Sequence, residues 1–285
     1  MEHDSTKQFP LATWRLLITP PLDGATNMAI DEAILQALAE GQASPTLRFF
    51  EWAPGCLSLG YNQKWREIDL TALEQHDYTW TRRPTGGRAI LHIDEATYSL
   101  ITPEADPRIQ GGITESYRVL STGLLRGLER LGLEAGQASR EDLRALRQAV
   151  DRGGGPVCFD TPSRYEITWQ HKKLIGSAQL RRKKMVLQHG TLPLHGDITR
   201  IIDVLAFSDS EREHQRRLLP HRATTLETAL GRVVPVEEAF AGLAAGFEEA
   251  LALTLVRGDL SERELALAEQ LRAGQYANES WLKRI

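Results

Sequence analysis

The chain has 285 residues, of which 41% are hydrophobic, and its 34 Lys and Arg against 38 Asp and Glu give a formal net charge of −4. This length and composition predict a globular protein with one large domain, or one domain and a small appendage. The mild negative charge and the lack of a recognition motif disfavour a nucleic-acid reader, and no stretch is long and apolar enough to span a bilayer.

The N-terminus and the cysteines indicate the compartment. The first residues, MEHDSTKQFPLATW, contain no apolar core segment, so we expect no signal peptide. Cys56 and Cys158 lack CxxC spacing, which argues against a metal knuckle, and a chain without an export signal rarely carries a structural disulfide. We therefore expect a cytoplasmic protein with two free thiols and no bound metal.

The first half of the chain mixes helical and strand patterns. A strand is predicted at Trp14–Ile18, and a helix begins near Thr26 and ends at Gly41, with Asp31 and Glu32 as a solvated acidic start. Five segments rich in β-formers follow, at 47–52, 56–61, 78–83, 88–92 and 96–102, around a polar helical piece at 69–76. A helix after Thr114 then places an apolar stripe on one face: Tyr117, Leu120, Leu124, Leu128 and Leu131.

The second half begins with residues 136–156, which are polar and end in a Gly-Gly-Gly-Pro run typical of a mobile loop. Segments 165–170, 173–180 and 185–194 predict an antiparallel meander. From Ile198 the chain is predicted to be helical, and its last helix starts with a capping box from Ser261 to Glu264. Together these patterns predict an α+β fold, with a mostly antiparallel sheet flanked by helices.

The loop Arg82-Arg83-Pro84-Thr85-Gly86-Gly87-Arg88 is the first candidate site. Its glycines let the backbone approach a ligand closely, and its arginines offer charge and forked donors for a phosphate, a pantetheine arm or a carboxylate. A Gly-Gly hairpin turn with solvated arginines explains the same residues equally well.

Cys158 is the candidate nucleophile, because a thiolate forms exchangeable thioesters and this thiol lies in a loop that contains Gly and Pro. An inert buried thiol is the alternative, and it is our interpretation of Cys56, which lies in an apolar β segment.

Lys173 is a candidate donor to an oxyanion, an interaction worth about 3–4 kcal/mol of barrier. It precedes Gly176, Ser177 and Ala178, whose small size leaves space for an acyl chain. The alternative is an exposed lysine at a hairpin turn. His92 and His189 are secondary candidates, since single histidines are more often structural, and the run 181–184 predicts a solvated basic turn that also suits an acidic partner.

These motifs, in this order, resemble the lipoate–protein ligase and octanoyltransferase family. The resemblance runs from about Trp14 to the C-terminus, and the matching segments are NMAIDE (27–32), LRFF (47–50), GYNQ (60–63), RRPTGGRAILH (82–92), TYS (97–99), VCFDTPSRYEI (157–167), KLIGSAQ (173–179) and LQHGTLPL (187–194).

Within that family the chain is most similar to the LipM-type octanoyltransferases. Their cysteine stands where Cys158 stands, the loop here is GGR where the ATP-using ligases usually have GGG, and the C-terminal part is too short for a ligase accessory domain. The resemblance implies the biotin/lipoate-ligase (BPL/LPL) catalytic fold at 14–254, with a helical extension of the same domain at 255–285.

The resemblance also implies a reaction and its partners. Octanoate would pass from octanoyl-acyl carrier protein to Cys158 and then to the lysine of a lipoyl domain, such as the glycine cleavage H protein, without ATP or another cofactor. Lys173 would stabilise the oxyanion. A monomeric enzyme would bind the substrate with a set of loop and strand residues: Arg83, Gly86, Gly87, Arg88, His92, Gly176, Ser177, Ala178 and His189.

Three other functions stay open from the sequence. An ATP-dependent lipoate ligase would use the glycine loop and Lys173 to hold lipoyl-AMP and would not need Cys158. An amidotransferase would move acyl groups between lipoyl domains through the same cysteine. A non-catalytic module would only bind lipoyl domains and would form no covalent adduct.

Overall fold

Two β-sheets form the centre of the protein in a computed structural model, which describes residues 9–137 and 166–285. The strands in these ranges are β1 (Ala12–Ile18), β2 (Thr46–Phe50), β3 (Cys56–Leu59), β4 (Thr79–Arg82), β5 (Ile90–His92), β6 (Glu95–Pro103), β7 (Gly136–Gln137), β8 (Ile167–Trp169), β9 (Lys172–Arg182), β10 (Met185–Pro193) and β11 (Leu253–Arg257). The large sheet has the order β11-β1-β2-β6-β10-β9-β8-β7, and the small sheet has the order β4-β3-β5.

Helices cover both faces of the large sheet. The described helices are α1 (Gly24–Ala39), α2 (Leu70–Gln75), α3 (Ile113–Arg130), α4 (Asp209–Arg222), α5 (Leu226–Leu230), α6 (Val236–Leu251), α7 (Glu262–Leu271) and α8 (Glu279–Leu282), with 3₁₀ segments at Trp65–Glu67, Pro107–Ile109 and Ile198–Val204 and a π-turn at Arg272–Tyr276. In the ranges that the structure describes, no helix combines the length and the apolar character needed to cross a bilayer.

The large sheet is mostly antiparallel, which confirms the predicted α+β class. Only the pairs β1–β11 and β1–β2 are parallel among its described strands. The predicted meander is formed by β8, β9 and β10. Both of its turns have two successive residues with positive φ, Gln170–His171 and Lys183–Lys184, a geometry that matches the right-handed twist of paired strands.

Alternation along the strands divides the core into two layers. Phe49, Tyr98 and Leu100 point toward α3 and α6, whereas Phe50 and Ile101 point toward α1 and α7. The predicted stripe on α3 is buried in the first layer, as expected. A third cluster joins the small sheet to the 3₁₀ segment Ile198–Val204 and to α4.

Helix α1 differs from its prediction because it is buried almost all round. Asp31 and Glu32 are 0% and 3% exposed, so the predicted solvated acidic start is wrong. Asp31 pairs with Arg48 of β2, and Glu32 pairs with Arg182 and accepts a hydrogen bond from the Tyr276 hydroxyl. Both carboxylates therefore join α1 to strands and to the C-terminal segment, since buried charges persist only when they are paired.

The C-terminal part contains one strand that the sequence analysis did not find. β11 pairs in parallel with β1 at the edge of the large sheet, and it crosses the boundary between the catalytic domain and its extension that we predicted at residue 254. Helix α7 does begin at the predicted capping box, in which Ser261 and Glu264 bond each other's backbone N–H groups.

Candidate active site

A cavity lies between the large and the small sheet, and residues of both sheets line it. One wall is formed by neighbouring segments of β9 and β10, Gly176–Ala178 and His189–Thr191. The rest of the lining comes from α1, the residues after β2, the loop 82–88 (the glycine loop), β5 and β6. These residues are Met28, Trp52, Arg83, Gly86, Gly87, Ile90, His92 and Thr97. Carbon dominates these walls, which suits a hydrocarbon chain.

Most of the predicted substrate-binding residues meet at this cavity, although they come from four separate parts of the chain. The residues that line it are Arg83, Gly86, Gly87, His92, Gly176, Ser177, Ala178 and His189. Arg88 instead lines a neighbouring surface groove, which shares Gly87 with the cavity. Cys158 lies outside the described residues.

The glycine loop is held by the arginine that precedes it. The guanidinium of Arg83 donates to the carbonyl oxygens of Ser58, Gly86 and Arg88 at 3.0, 3.0 and 2.7 Å. Gly87 has a φ of +97°, which favours glycine, and a Cβ there would lie 2.7 Å from the Arg83 side chain. The alternative of solvated arginines is wrong, because Arg82 and Arg83 are buried and both bond backbone carbonyls.

Lys173 is buried, so the alternative of an exposed turn lysine is also wrong. Its ammonium donates to Glu166 Oε1 at 2.5 Å in a buried ion pair. The same side chain folds over Gly176, where an added Cβ would lie 2.7 Å from Lys173 Cε and 3.1 Å from Nζ. The glycine thus leaves room for the ammonium beside the cavity wall.

His189 connects the cavity to a buried ion pair. Its Nε2 lies 2.6 Å from Thr85 Oγ1, and its Nδ1 lies 3.7 Å from Asp31 Oδ2. Asp31 also accepts hydrogen bonds from Arg48 Nη1 at 2.8 Å and from Ser99 Oγ at 2.7 Å.

These contacts determine the protonation states of Asp31 and His189. Burial alone would raise the pKa of Asp31, but Arg48, His189 and Ser99 outweigh burial and hold that pKa below its ordinary value. Burial lowers the pKa of His189, and Arg83 and His92 lower it further against the opposing effect of Asp31. The wall therefore presents a neutral imidazole at neutral pH.

His92 is fixed on three sides. Its Nε2 lies 2.7 Å from Ser58 Oγ and its Nδ1 lies 2.6 Å from Glu95 Oε1. Its ring stacks on Trp52 with the centroids 3.9 Å apart. The ring therefore forms a rigid part of the cavity wall.

The hydroxyl of Ser177 points to the face of the sheet opposite the cavity. There it lies 2.8 Å from Tyr98 Oη. Gln188 Nε2 donates to the same phenol at 3.1 Å. Burial raises the pKa of Tyr98 to about 12, so the phenol stays protonated at neutral pH.

Comparison with known proteins decides the family of the chain. Residues 23–248 match the family described as the lipoyl protein ligase A/B catalytic domain. This chain belongs to the lipoyl protein ligase A/B family. The resemblance found in the sequence motifs is thereby confirmed.

Relatives in this family are similar over nearly the whole chain. A protein of Kyrpidia tusciae named octanoyltransferase LipM is 44% identical over 271 residues, which cover 94% of this chain and 98% of the relative. A protein of Brevibacillus brevis with the same name is 40% identical over 274 residues, again 94% and 98% of the two chains.

Solved structures of lipoyl ligases share the fold. A bipartite lipoate protein ligase from Thermoplasma acidophilum, studied with its E2 lipoyl domain, superimposes with a TM-score of 0.79 at 24% identity, covering 95% of this chain and 96% of that one. A lipoate-protein ligase A bound with ATP gives a TM-score of 0.75 at 26% identity, covering 95% and 98%.

Several residues of this family member's site were missed by the sequence analysis. Asp31 and Arg48 lie in segments that were assigned to a solvated helix start and to an ordinary strand. Thr191, Met28 and Trp52 line the cavity but carry no motif chemistry. The residues beside Asp31 in the run NMAIDEAIL are mostly apolar, but no nearby residue marks Arg48, 17 positions away, as the partner of this carboxylate.

Proposed function

We propose that this protein is an octanoyltransferase of lipoate biosynthesis, which carries octanoyl groups from an acyl carrier protein to the lysine of a lipoyl domain. The observation that carries the proposal is the likeness, over 94% of the chain, to proteins named octanoyltransferase. The narrow apolar cavity supports it, because an eight-carbon chain needs a slot from which water is excluded.

The proposed first step is a thioester exchange. The Cys158 thiolate attacks the carbonyl carbon of the octanoyl thioester, the carrier's carbon–sulfur bond breaks, and the carrier thiolate leaves with the electron pair. Negative charge develops on the carbonyl oxygen in the tetrahedral intermediate. Lys173, oriented by Glu166 and seated beside Gly176, is the cation that stabilises this charge.

The proposed second step forms the amide. The neutral amine of the lipoyl-domain lysine attacks the carbonyl carbon of the acyl-Cys158 thioester and forms a carbon–nitrogen bond. The nitrogen then loses a proton to solvent or a nearby base, the carbon–sulfur bond breaks, and Cys158 leaves as thiolate with the electron pair. An amide is more stable than a thioester, so the step runs downhill and needs no ATP. We further propose that the enzyme works in the cytoplasm and that it is a monomer. Sedimentation of the purified protein measures its oligomeric state.

One experiment separates this proposal from its alternatives. The purified protein is incubated with octanoyl-acyl carrier protein without ATP, analysed by intact mass, and then mixed with an apo-lipoyl domain. We expect a mass gain of one octanoyl group, its transfer to the lipoyl domain, and loss of both in Cys158→Ala. The matched control is Cys56→Ala, because burial raises the pKa of that thiol to about 12 and keeps it unreactive.

Other outcomes identify other functions. Modification that depends on ATP and free lipoate and survives Cys158→Ala indicates a ligase. Transfer only from an octanoylated lipoyl domain indicates an amidotransferase. Binding of the lipoyl domain with no adduct and no turnover would contradict the enzymatic proposal and indicate a non-catalytic binding module.

A further inference from the structure

The hydroxyl of Thr191 is a buried polar group with no hydrogen-bond partner among the residues that the structure describes. Thr191 is 1% exposed and lines the cavity. Its Oγ1 has no hydrogen-bond partner in residues 9–137 and 166–285. Burying a hydroxyl unpaired costs about 1–3 kcal/mol, so a strand position that keeps one next to a cavity calls for an explanation in terms of a ligand.

The register of the large sheet places Thr191 near the Lys173 side chain. Thr191 of β10 lies directly opposite Gly176 of β9, and opposite residues of an antiparallel pair point to the same face with Cβ atoms about 4.5–5.5 Å apart. The space that a Gly176 side chain would occupy is taken by the Lys173 side chain, whose Nζ lies 3.1 Å from the Cβ position. Thr191 and the Lys173 side chain therefore lie next to the same position of the cavity wall, Gly176.

The chemistry of the two groups is complementary. An ammonium of this kind supplies charge, and a hydroxyl on a β-branched side chain supplies a directed donor with few rotamers. A carbonyl oxygen has two lone pairs and gains negative charge during acyl transfer, so it accepts from both groups at once. The neighbouring His189, two positions along β10 on the same face, already bonds Thr85.

We propose that Thr191 donates a hydrogen bond from its hydroxyl to the acyl carbonyl oxygen of the substrate, beside the Lys173 ammonium. The inference rests on the proposed function, since the carbonyl is that of the octanoyl group. It makes Thr191 a catalytic residue, because its hydroxyl touches the reacting group and the bond strengthens as the oxygen becomes an oxyanion.

Thr191→Val and Thr191→Ser test the proposal, because valine keeps the shape and removes the hydroxyl, whereas serine keeps the hydroxyl. We expect Thr191→Val to lower kcat for octanoyl transfer roughly 10–100-fold with little change in KM, somewhat less than the loss of a full oxyanion-hole donor. Thr191→Ser retains a rate within about fivefold of the wild type.

The matched control is Thr102→Val. Thr102 is also fully buried, and its hydroxyl has no partner within the described part of the chain, but it lies on β6 opposite Val186 of β10, at a position that does not line the cavity. We expect full activity from this variant. Both valine variants should melt at or above the wild-type temperature, because each removes an unsatisfied buried hydroxyl.

A spectroscopic measurement keeps the test independent of folding effects on rate. The acyl-enzyme is formed with octanoate labelled with ¹³C at the carbonyl, and its carbonyl stretch is recorded by infrared difference spectroscopy. The lost hydrogen bond in Thr191→Val should move the band to higher wavenumber, and Thr191→Ser should leave it in place.

The outcomes separate the two proposals. An active wild type together with an unshifted band and a rate within threefold in Thr191→Val overturns the role of Thr191 alone. A wild type that transfers no octanoyl group overturns the proposed function and, with it, the inference.

Discussion

At the scale of single residues, His189 shows how burial fixes a protonation state. Its Nδ1 lies 3.7 Å from Asp31 Oδ2 and its Nε2 lies 2.6 Å from Thr85 Oγ1. Burial, Arg83 and His92 oppose a positive imidazole and so lower its pKa, whereas Asp31 favours the positive form.

The first prediction concerns pH. The pKa of His189 is lower in the folded protein than its ordinary value of 6.5, so the unfolded chain binds more protons below pH 6.5. The stability contributed by the neutral ring is therefore complete above pH 6.5 and declines as the pH falls toward the folded-state pKa. Within that window the slope is about 1.4 kcal/mol per pH unit.

Urea unfolding at a series of pH values measures this contribution. His189→Gln should reduce the slope of unfolding free energy against pH just below pH 6.5 by about that amount. His221→Gln is the control, because His221 is exposed at the end of α4. Equal slopes for the wild type and His189→Gln would contradict the assignment.

At the scale of elements, α1 is joined to β2 by a buried ion pair. Arg48 bonds Asp31 at 2.8 Å and Asn27 Oδ1 at 2.7 Å, and both side chains of the ion pair are 0% exposed. The guanidinium also stacks over Phe50 at 3.9 Å. The helix is thereby fixed in register on the sheet that carries His189.

The second prediction follows from the cost of an unpaired buried charge. Arg48→Met should destabilise the protein by about 3–5 kcal/mol, because it leaves the Asp31 carboxylate buried without its cation. The double variant Arg48→Met with Asp31→Leu should recover most of that loss, since it removes both charges. Chemical unfolding measures each free energy.

Arg263→Met serves as the control for this cycle. Arg263 pairs at the surface with Glu40, the residue that follows α1, with side chains 43% and 37% exposed, so its loss should cost less than about 1 kcal/mol. A double variant no more stable than Arg48→Met would show that the ion pair has a role beyond mutual neutralisation.

At the scale of the whole molecule, the C-terminal segment fastens the small sheet to the rest of the protein. Trp281 Nε1 donates to the Arg82 carbonyl at 2.9 Å, and Arg82 Nη2 donates to the Leu282 carbonyl at 2.8 Å. Arg82 also donates to the carbonyls of Gly60 and Gln63 at 2.9 and 2.6 Å. One guanidinium thus links the chain end to the turn under the glycine loop.

The third prediction is that removal of residues 279–285 loosens the cavity from a distance. Loss of the carbonyl acceptors of a buried guanidinium should lower the unfolding free energy by about 2–4 kcal/mol. Amide hydrogen exchange should become faster in residues 58–63 and 82–88. The rate of octanoyl transfer should fall at the same time. Glu279→Gln, which removes only an exposed ion pair with Lys283, should leave exchange unchanged.

The sequence predicted the elements that have a strong local signal. The stripe on α3, the capping box of α7 and the meander turns each depend on residues close together in the chain. The burial of Asp31 and Glu32 was not predicted, because a charged side chain carries no local mark of a partner that is distant in the chain, as Arg48 is 17 positions from Asp31. The burial of Arg83 was not predicted either, although two of its acceptors, the carbonyls of Gly86 and Arg88, are close in the chain. β11 was missed for the same reason: five residues become a strand only where β1 offers an edge.

The sequence by itself determined the family, the fold class and most of the residues that meet at the cavity, because ordered motifs and hydrophobic periodicity are written along the chain. The tertiary structure decided which charges are buried, that Lys173 rests on Gly176 beside Glu166, and that Thr191 lines the cavity while its hydroxyl finds no partner in the described ranges. These features depend on strand register and on contacts between distant segments, and such contacts exist only once the sheets have closed on each other.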